Sequence, residues 1–275
     1  LYFASENADT LIPVTRFVVE DKSITRMAIE QLQNGPLNNG LKSVIKDVTN
    51  TTYNKGNVVI DIPSTYEGYN NGSAGGLLSY NAFVKTLFAV ERYWPIYSIT
   101  FTVDRSKVET YFHGIDIINP VPNTENNYLL FMAHKADGRY YLFDYQLYPE
   151  QIGIAESDTI EIKAGKLFDA YSDIDISYGI SPVPKSVTLN NASLQGSTLI
   201  LDFNENLLNV YKDKDDLRHM MIESFIYTFT TIPGVDSIKI TAGGKEITGF
   251  VEGTDTTKVL YPPEFINPEA VNETP

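Results

Sequence analysis

Phe83-Val84-Lys85-Thr86-Leu87 and Phe225-Ile226-Tyr227-Thr228-Phe229 are one phrase written twice. Both keep apolar residues at the first, second and fifth positions and a threonine at the fourth. Both sit in a stretch of helical period that runs into an apolar extended segment, residues 97–103 and 236–241. Working outward, three further matches follow in the same order. Leu1-Tyr2-Phe3-Ala4 returns as Leu129-Leu130-Phe131-Met132, each followed by an Ala-Asp pair (Ala8-Asp9, Ala136-Asp137) and a second strand, residues 11–19 and 140–147. Lys42-Ser43-Val44 returns as Lys185-Ser186-Val187, and Val58-Val59-Ile60-Asp61-Ile62 as Leu199-Ile200-Leu201-Asp202-Phe203. Four matches in order make the chain a tandem repeat. An insertion ahead of Lys185 reconciles the spacings.

Periodicity supplies the elements. Tyr80, Phe83, Val84, Leu87 and Val90 recur at helical spacing, as do Leu217, Met221, Phe225 and Phe229. Ser73 is the expected cap of the first of these helices, and Asp213, Asp215 and Asp216 stand at the start of the second, where carboxylates suit the helix dipole. A shorter helix precedes each Lys-Ser-Val: residues 23–33, with Ile24, Met27, Ala28 and Leu32 on one face and Gly35-Pro36 as its stop, and residues 158–171, with Ile160, Ala164, Leu167 and Phe168. A few strands and two helices per copy cannot close a barrel. The expected fold is therefore α+β, two tandem copies of a two-layer α/β sandwich, each a small mixed sheet with two helices on one face. The expected domains are 1–122 and 123–257, joined through Asn119-Pro120-Val121-Pro122-Asn123, with an irregular tail or docking strap over 258–275.

Composition narrows the function. With 43% hydrophobic and 20% charged residues the sequence is that of a globular protein, and no apolar run reaches the roughly 20 residues needed to span a membrane. The formal net charge of −14 argues against nucleic-acid binding, which needs a basic surface. Residues 1–125 hold 13 acidic and 10 basic side chains, and residues 126–275 hold 22 and 11. The acidity thus belongs to the second copy. The absence of cysteine removes disulfides, thiolate metal sites and cysteine nucleophiles. Beginning at Leu1 instead of Met, the sequence reads as a mature or trimmed form of an exported protein.

No constellation in the sequence carries chemistry. His113, His134 and His219 share no metal-ligand spacing and recur at no equivalent place, so each is expected at the surface or in packing. Asn71-Gly72-Ser73-Ala74-Gly75-Gly76 is neither a nucleophile elbow nor a phosphate loop, and reads as the way into a helix. Asp213-Lys214-Asp215-Asp216 lacks the glycine and glutamate of a calcium loop. Asp173 and Asp175 would flank one side of a strand as an acid–base pair, but the first copy has no counterpart. Asp61 and Asp202 are equivalent, and a carboxylate kept in both copies points to backbone hydrogen bonds where a strand ends and turns. The expected site residues are therefore none: no catalytic, cofactor or metal position.

The opening Leu-Tyr-Phe-Ala strand, the Gly35-Pro36 stop, the Val-Val-Ile-Asp-Ile strand, Gly72-Ser73-Ala74 and the Phe83–Leu87 phrase together resemble the GerMN domain family. Phe225–Phe229 followed by Gly234-Val235-Asp236-Ser237-Ile238 is similar to it again, so the resemblance covers nearly the whole chain except the tail. Two departures stand out: Pro182-Val183-Pro184 in place of the Gly-Pro stop, and Glu91-Arg92-Tyr93-Trp94-Pro95 where the second copy turns at Pro233-Gly234. The resemblance implies a non-enzymatic sporulation and germination protein without cofactors. It would be an extracytoplasmic lipoprotein between mother cell and forespore, touching the membrane through an N-terminal lipid anchor that is not part of this sequence. Its partners would be proteins of an envelope complex, further copies of itself included, because related ring-building modules associate side by side. The alternative is a module binding cell-wall glycan or a germination ligand, with Tyr66, Tyr69, Tyr97 and Tyr211 as stacking platforms.

Overall fold

A computed structural model describes residues 1–90, 95–124 and 128–269. The Glu91-Arg92-Tyr93-Trp94 departure lies outside the described residues. The chain divides into two compact units, Leu1–Glu125 with Phe265–Pro275, and Asn126–Glu264.

Unit 1 runs β1 (Tyr2–Ser5), β2 (Leu11–Pro13), α1 (Ile24–Asn34), β3 (Leu41–Lys42), β4 (Asn50–Asn54), β5 (Asn57–Ile62), α2 (Ser73–Ala89), β6 (Ser98–Val103), β7 (Thr110–Tyr111), β8 (Ile115–Asp116) and β9 (Val121–Pro122). Its main sheet has the order β4-β5-β6-β9, with β5 and β6 parallel and the outer pairs antiparallel; β2-β1-β3 form a second, smaller sheet. Unit 2 runs β10 (Tyr128–Ala136), β11 (Arg139–Leu147), α3 (Ile160–Asp173), β12 (Leu189–Gln195), β13 (Thr198–Phe203), α4 (Asp215–Phe229), β14 (Ser237–Ala242) and β15 (Lys245–Glu246). Its sheet repeats the pattern as β12-β13-β14-β15, again with the central pair parallel, beside the long hairpin β10-β11. This is the expected α+β fold of two tandem α/β sandwiches.

The central strands are Val58, Ile60, Ile62 and Leu199, Leu201, Phe203 on their buried side, the period-2 pattern that puts one face inward. Against them lie Phe83 and Leu87 of α2 in unit 1, and Phe225 and Phe229 of α4 in unit 2. Phe203 stacks on Phe225 at 4.8 Å, while Phe83 meets Phe101 edge-on at 5.8 Å. Each such buried ring contributes about 1.5–3 kcal/mol through burial alone.

The structure departs from the sequence reading in four places. In α2 the buried stripe is Gly76, Ser79, Ala82, Phe83, Thr86 and Leu87, rotated from the apolar stripe toward small residues, because the helix packs close. Gly76 shows how close: a Cβ there would stand 2.5 Å from the carbonyl oxygen of Phe112. Ser73 does not cap this helix; it is the first helical residue, and Gly72 precedes it at φ 83° with no side-chain cap. β2 ends at Pro13, far short of residue 19: Val14 still exchanges both backbone hydrogen bonds with Leu1, and Thr15 then turns its own to the segment that ends at Glu269. The strands β4 and β12 were not anticipated. Their sequences, Asn-Thr-Thr-Tyr-Asn and Leu-Asn-Asn-Ala-Ser-Leu-Gln, are those of polar edge strands that leave little hydrophobic period to read.

The fourth departure concerns the alignment of the copies. Ser43 closes a small turn: its hydroxyl donates to the Ile45 carbonyl and accepts the Ile45 N–H. The residue that does this in unit 2 is Ser181, toward Val183, and not Ser186. Ala4 pairs with Lys42 and Ala133 with Ile180, so the two small strands agree in register as well. The Lys-Ser-Val identity is thus not structural. With the buried helix faces also in phase (Thr25, Ala28, Ile29, Leu32 and Ala164, Leu167, Phe168, Tyr171), the extra residues of unit 2 fall between β11 and α3, where Pro149–Gln151 make a single 3-10 turn.

Both final strands are also clamped on their outer side. Ile99 pairs with Val121 of β9, and Ile238 exchanges both backbone hydrogen bonds with Leu260. The stretch read as linker and the start of the stretch read as tail therefore play one role in their respective units.

Candidate functional site

Asp61 ends the apolar run of β5, and its Oδ1 accepts from the Thr102 hydroxyl and the Arg105 N–H, both at 2.6 Å. Asp202 Oδ1 accepts from the Thr241 hydroxyl and the Gly244 N–H, both at 2.7 Å. In both cases the threonine lies opposite the aspartate on the parallel neighbour, and the N–H belongs to the hairpin turn that follows it. The two carboxylates are turn clamps. Burial alone would raise the Asp202 carboxyl, but the Thr241 and Gly244 bonds, helped by Asn190, more than offset it and hold it below the ordinary value. The second oxygen of Asp61 is buried and meets no donor.

The repeated Phe83–Leu87 and Phe225–Phe229 phrase has an equally plain use. The Thr86 hydroxyl accepts the Tyr2 N–H at 2.9 Å, and the Thr228 hydroxyl accepts the Phe131 N–H at 2.9 Å. A helix interior has no backbone acceptor to spare for a strand edge, so each helix offers a side-chain oxygen instead. In unit 2 this tie grows into a network: the Tyr171 hydroxyl reaches Thr228 at 2.8 Å and Ser224 at 2.7 Å, and Ser224 donates to the Phe131 carbonyl at 2.6 Å. Burial pushes the Tyr171 phenol far above its ordinary value, against the pull of its Ser224 and Thr228 bonds.

The remaining candidates are not assembled into a reactive centre. His113, His134 and His219 each bond a backbone carbonyl, of Asn70, Tyr178 and Glu252. Among the described residues no group of three His, Cys, Asp or Glu is placed to hold a metal ion. Asp215, in the first turn of α4, receives the Glu252 N–H, and Asp213 sits ahead of the helix at φ 65°. Asp173 is the last residue of α3 and Asp175 lies beyond the helix, so they do not flank a strand. Of the four tyrosines, Tyr69 is core, 1% exposed and bonded to the Lys46 N–H and the Asp47 carbonyl. Tyr66 packs edge-on against it, and Tyr97 is 64% exposed.

Sequence reasoning missed the most heavily built polar group of unit 1. Arg16 Nε and Nη2 meet the Glu269 carboxylate at 2.5 and 3.1 Å, Nη1 donates to Gln31 and Nη2 to the Gly35 carbonyl. The pair is buried, 6% and 1% exposed at the side chains. Glu269 also accepts the Leu37 N–H, and the chain leading to it runs parallel to Thr15, which bonds the Ile266 carbonyl and the Glu269 N–H. Phe265 packs edge-on against Phe17 at 4.9 Å. The partners are 253 residues apart, so no local spacing announces them.

Among solved structures, the tandem GerMN domains of the sporulation protein GerM from Bacillus subtilis match with a TM-score of 0.74 at 16% identity, over 98% of this chain and 98% of that one. The first GerMN domain of the same protein matches at a TM-score of 0.37 and 18% identity, covering 47% of this chain and 91% of its own. The tandem match shows a shared fold. No curated protein matches the chain. The sequence model of one family, described as Germane, sporulation and spore germination, matches residues 1–109 and 166–248, and the chain belongs to that family as a tandem GerMN protein.

Proposed function

We propose that the protein is a non-enzymatic assembly component of a sporulation envelope complex. It is exported, held at the membrane by a lipid anchor, and works through protein–protein contacts. The observation that supports this is the use of its recurring polar groups. Asp61 and Asp202, Thr86 and Thr228, Ser43 and Ser181 are all committed to the main chain, so what the repeat preserves is a scaffold. Each unit meanwhile ends its main sheet in a polar strand, β4 or β12.

The test is in vivo crosslinking in sporulating cells, paired with light scattering of the anchored protein. Discrete crosslinked envelope partners, lost together with sporulation efficiency when the gene is removed, are the expected result. A strict monomer that crosslinks to no protein and binds muropeptides would overturn it in favour of a glycan-binding module.

A further inference from the structure

The strap that closes this edge in unit 1 has no counterpart among the described residues of unit 2. The repeat fixes the correspondence. Tyr2 and Phe131 are matched by their threonine ties, and they pair with Pro13 and Asp144. Thr15 and Arg16 therefore correspond to Gln146 and Leu147. The helix faces match Gln31 with Ala170, and the residues that follow the two helices, Gly35 and Ile174, also correspond. In unit 1 these positions hold the strap: Thr15 by its backbone, Arg16 by its guanidinium, Gln31 and Gly35 by steadying Arg16. In unit 2, Leu147 and Ala170 are buried beneath a shallow depression that Ile174 lines with Gln151 and Ile152 of the inserted stretch and with Asp169 and Asp173. Lys166 lies there too, but its ammonium is engaged by Asp158 at 2.6 Å.

The charge at this place differs. Unit 1 presents a cation, Arg16, to a carboxylate on the incoming chain. Unit 2 has the apolar Leu147 instead and, one helical turn beyond Asp169 (the counterpart of Glu30), adds a second carboxylate on the rim, Asp173, where unit 1 has Asn34. Gln146 occupies the place of Thr15, whose N–H and C=O face outward, so a strand end is available for main-chain pairing. We propose that this groove receives an extended segment of a partner protein that carries a lysine or arginine where the strap carries Glu269. This rests on the reading of the protein as one that works through protein contacts, and names the surface and the chemistry. A second copy's own strap is the wrong occupant, because Glu269 would meet Asp169 and Asp173. The Asp169 carboxyl is raised by burial and by the Asp173 charge beside it, the condition that an arriving cation relieves.

The experiment follows amide signals of the full chain in solution during titration with two peptides: the strap sequence Phe265–Glu269, and the same peptide with Glu269→Lys. The lysine peptide is expected to shift Gln146, Leu147, Ala170 and Ile174, with at least about tenfold weaker binding to an Asp169→Asn/Asp173→Asn variant and a similar loss at high salt. Both aspartates lie on the surface, so the double variant should fold, and its unperturbed spectrum elsewhere checks this. No shift at these amides, equal binding of both peptides, or binding that ignores the double substitution would overturn the groove. Crosslinked partners that persist undiminished in the double variant would remove the groove while leaving the assembly function standing. Loss of every partner in the unsubstituted protein would remove the function itself.

Discussion

The two units differ least at their centres and most at their rims. Both fasten the opening hairpin to the long helix with one threonine, and both lock the end of the parallel pair with one aspartate. The outer edge of the hairpin is where they part. Unit 1 closes it with a distant strap and a buried ion pair, while unit 2 extends the hairpin to nine-residue strands and, among the described residues, has no strap there. The difference teaches that the module does not need that edge closed in order to fold. What is not needed for folding is free to diverge as a surface.

The strap gives the sharpest way to break this comparison. Glu269→Ala leaves Arg16 buried without its counter-charge, and should destabilise unit 1 by about 3–5 kcal/mol while unit 2 holds. Hydrogen exchange resolved by residue in rising urea would check it; equal loss in both units would mean that the strap is not a local closure. Replacing the pair together, Arg16→Met with Glu269→Leu, should recover most of the loss, because the penalty lies in the orphaned charge.

The threonine ties test the shared part. Thr86→Val and Thr228→Val preserve shape and remove the acceptor, so each should cost about 1–3 kcal/mol through an unsatisfied strand N–H. Thr228→Val should cost more than Thr86→Val, since Thr228 also holds the Tyr171 hydroxyl in a closed network. Matched urea midpoints for the two variants would say that the network adds nothing to the tie.

These ties also show what a sequence can disclose. The fold was legible because apolar period and the Thr and Asp positions act locally and recur. Asp61 and Asp202 were readable as turn clamps for that reason. The false step was Lys42-Ser43-Val44 against Lys185-Ser186-Val187: three identical letters outweighed a register that only hydrogen bonds define, and Ser181 was the true partner. The polar edge strands β4 and β12 carry little period to detect. Arg16 and Glu269 lie at opposite ends of the chain, and a single copy of each offers no internal repeat to compare. The groove of unit 2 was invisible for the same reason, because it is defined by what the other unit has there.

Acid should separate the units by a smaller margin. Asp202 has its carboxyl held below the ordinary value in the folded state, so the stability it lends is present above about pH 4 and is lost as pH falls through its folded value. The raised carboxyls of Asp169 and Glu223, with burial as the main cause in each, act in the opposite sense, favouring the folded state as they protonate. The Asp202 share is isolated by comparing the acid slope of unit 2 stability with that of Asp202→Asn. The variant should be less stable at pH 7 and show a flatter slope below pH 4; parallel slopes would remove Asp202 from acid unfolding.

The smallest effect concerns the turn that the aspartates clamp. In unit 2 the two turn residues are Gly243 and Gly244, at φ 58° and 74°, which glycine adopts without strain. In unit 1 the same two places hold Asp104 and Arg105, at φ 48° and 65°. Asp104 has a reason to be there, since its carboxylate accepts the Ser64 N–H at 3.1 Å. Arg105 contributes its backbone N–H to Asp61, which any residue would do, and its left-handed conformation costs about 1–2 kcal/mol against an ordinary one. Arg105→Gly should therefore stabilise unit 1, by about 0.5–1 kcal/mol after the greater freedom of glycine in the unfolded chain is subtracted. Gly244→Arg should cost unit 2 a similar amount. If Arg105→Gly instead destabilises, the side chain has a role that its exposed, strained position does not show, and the two turns are not equivalent after all.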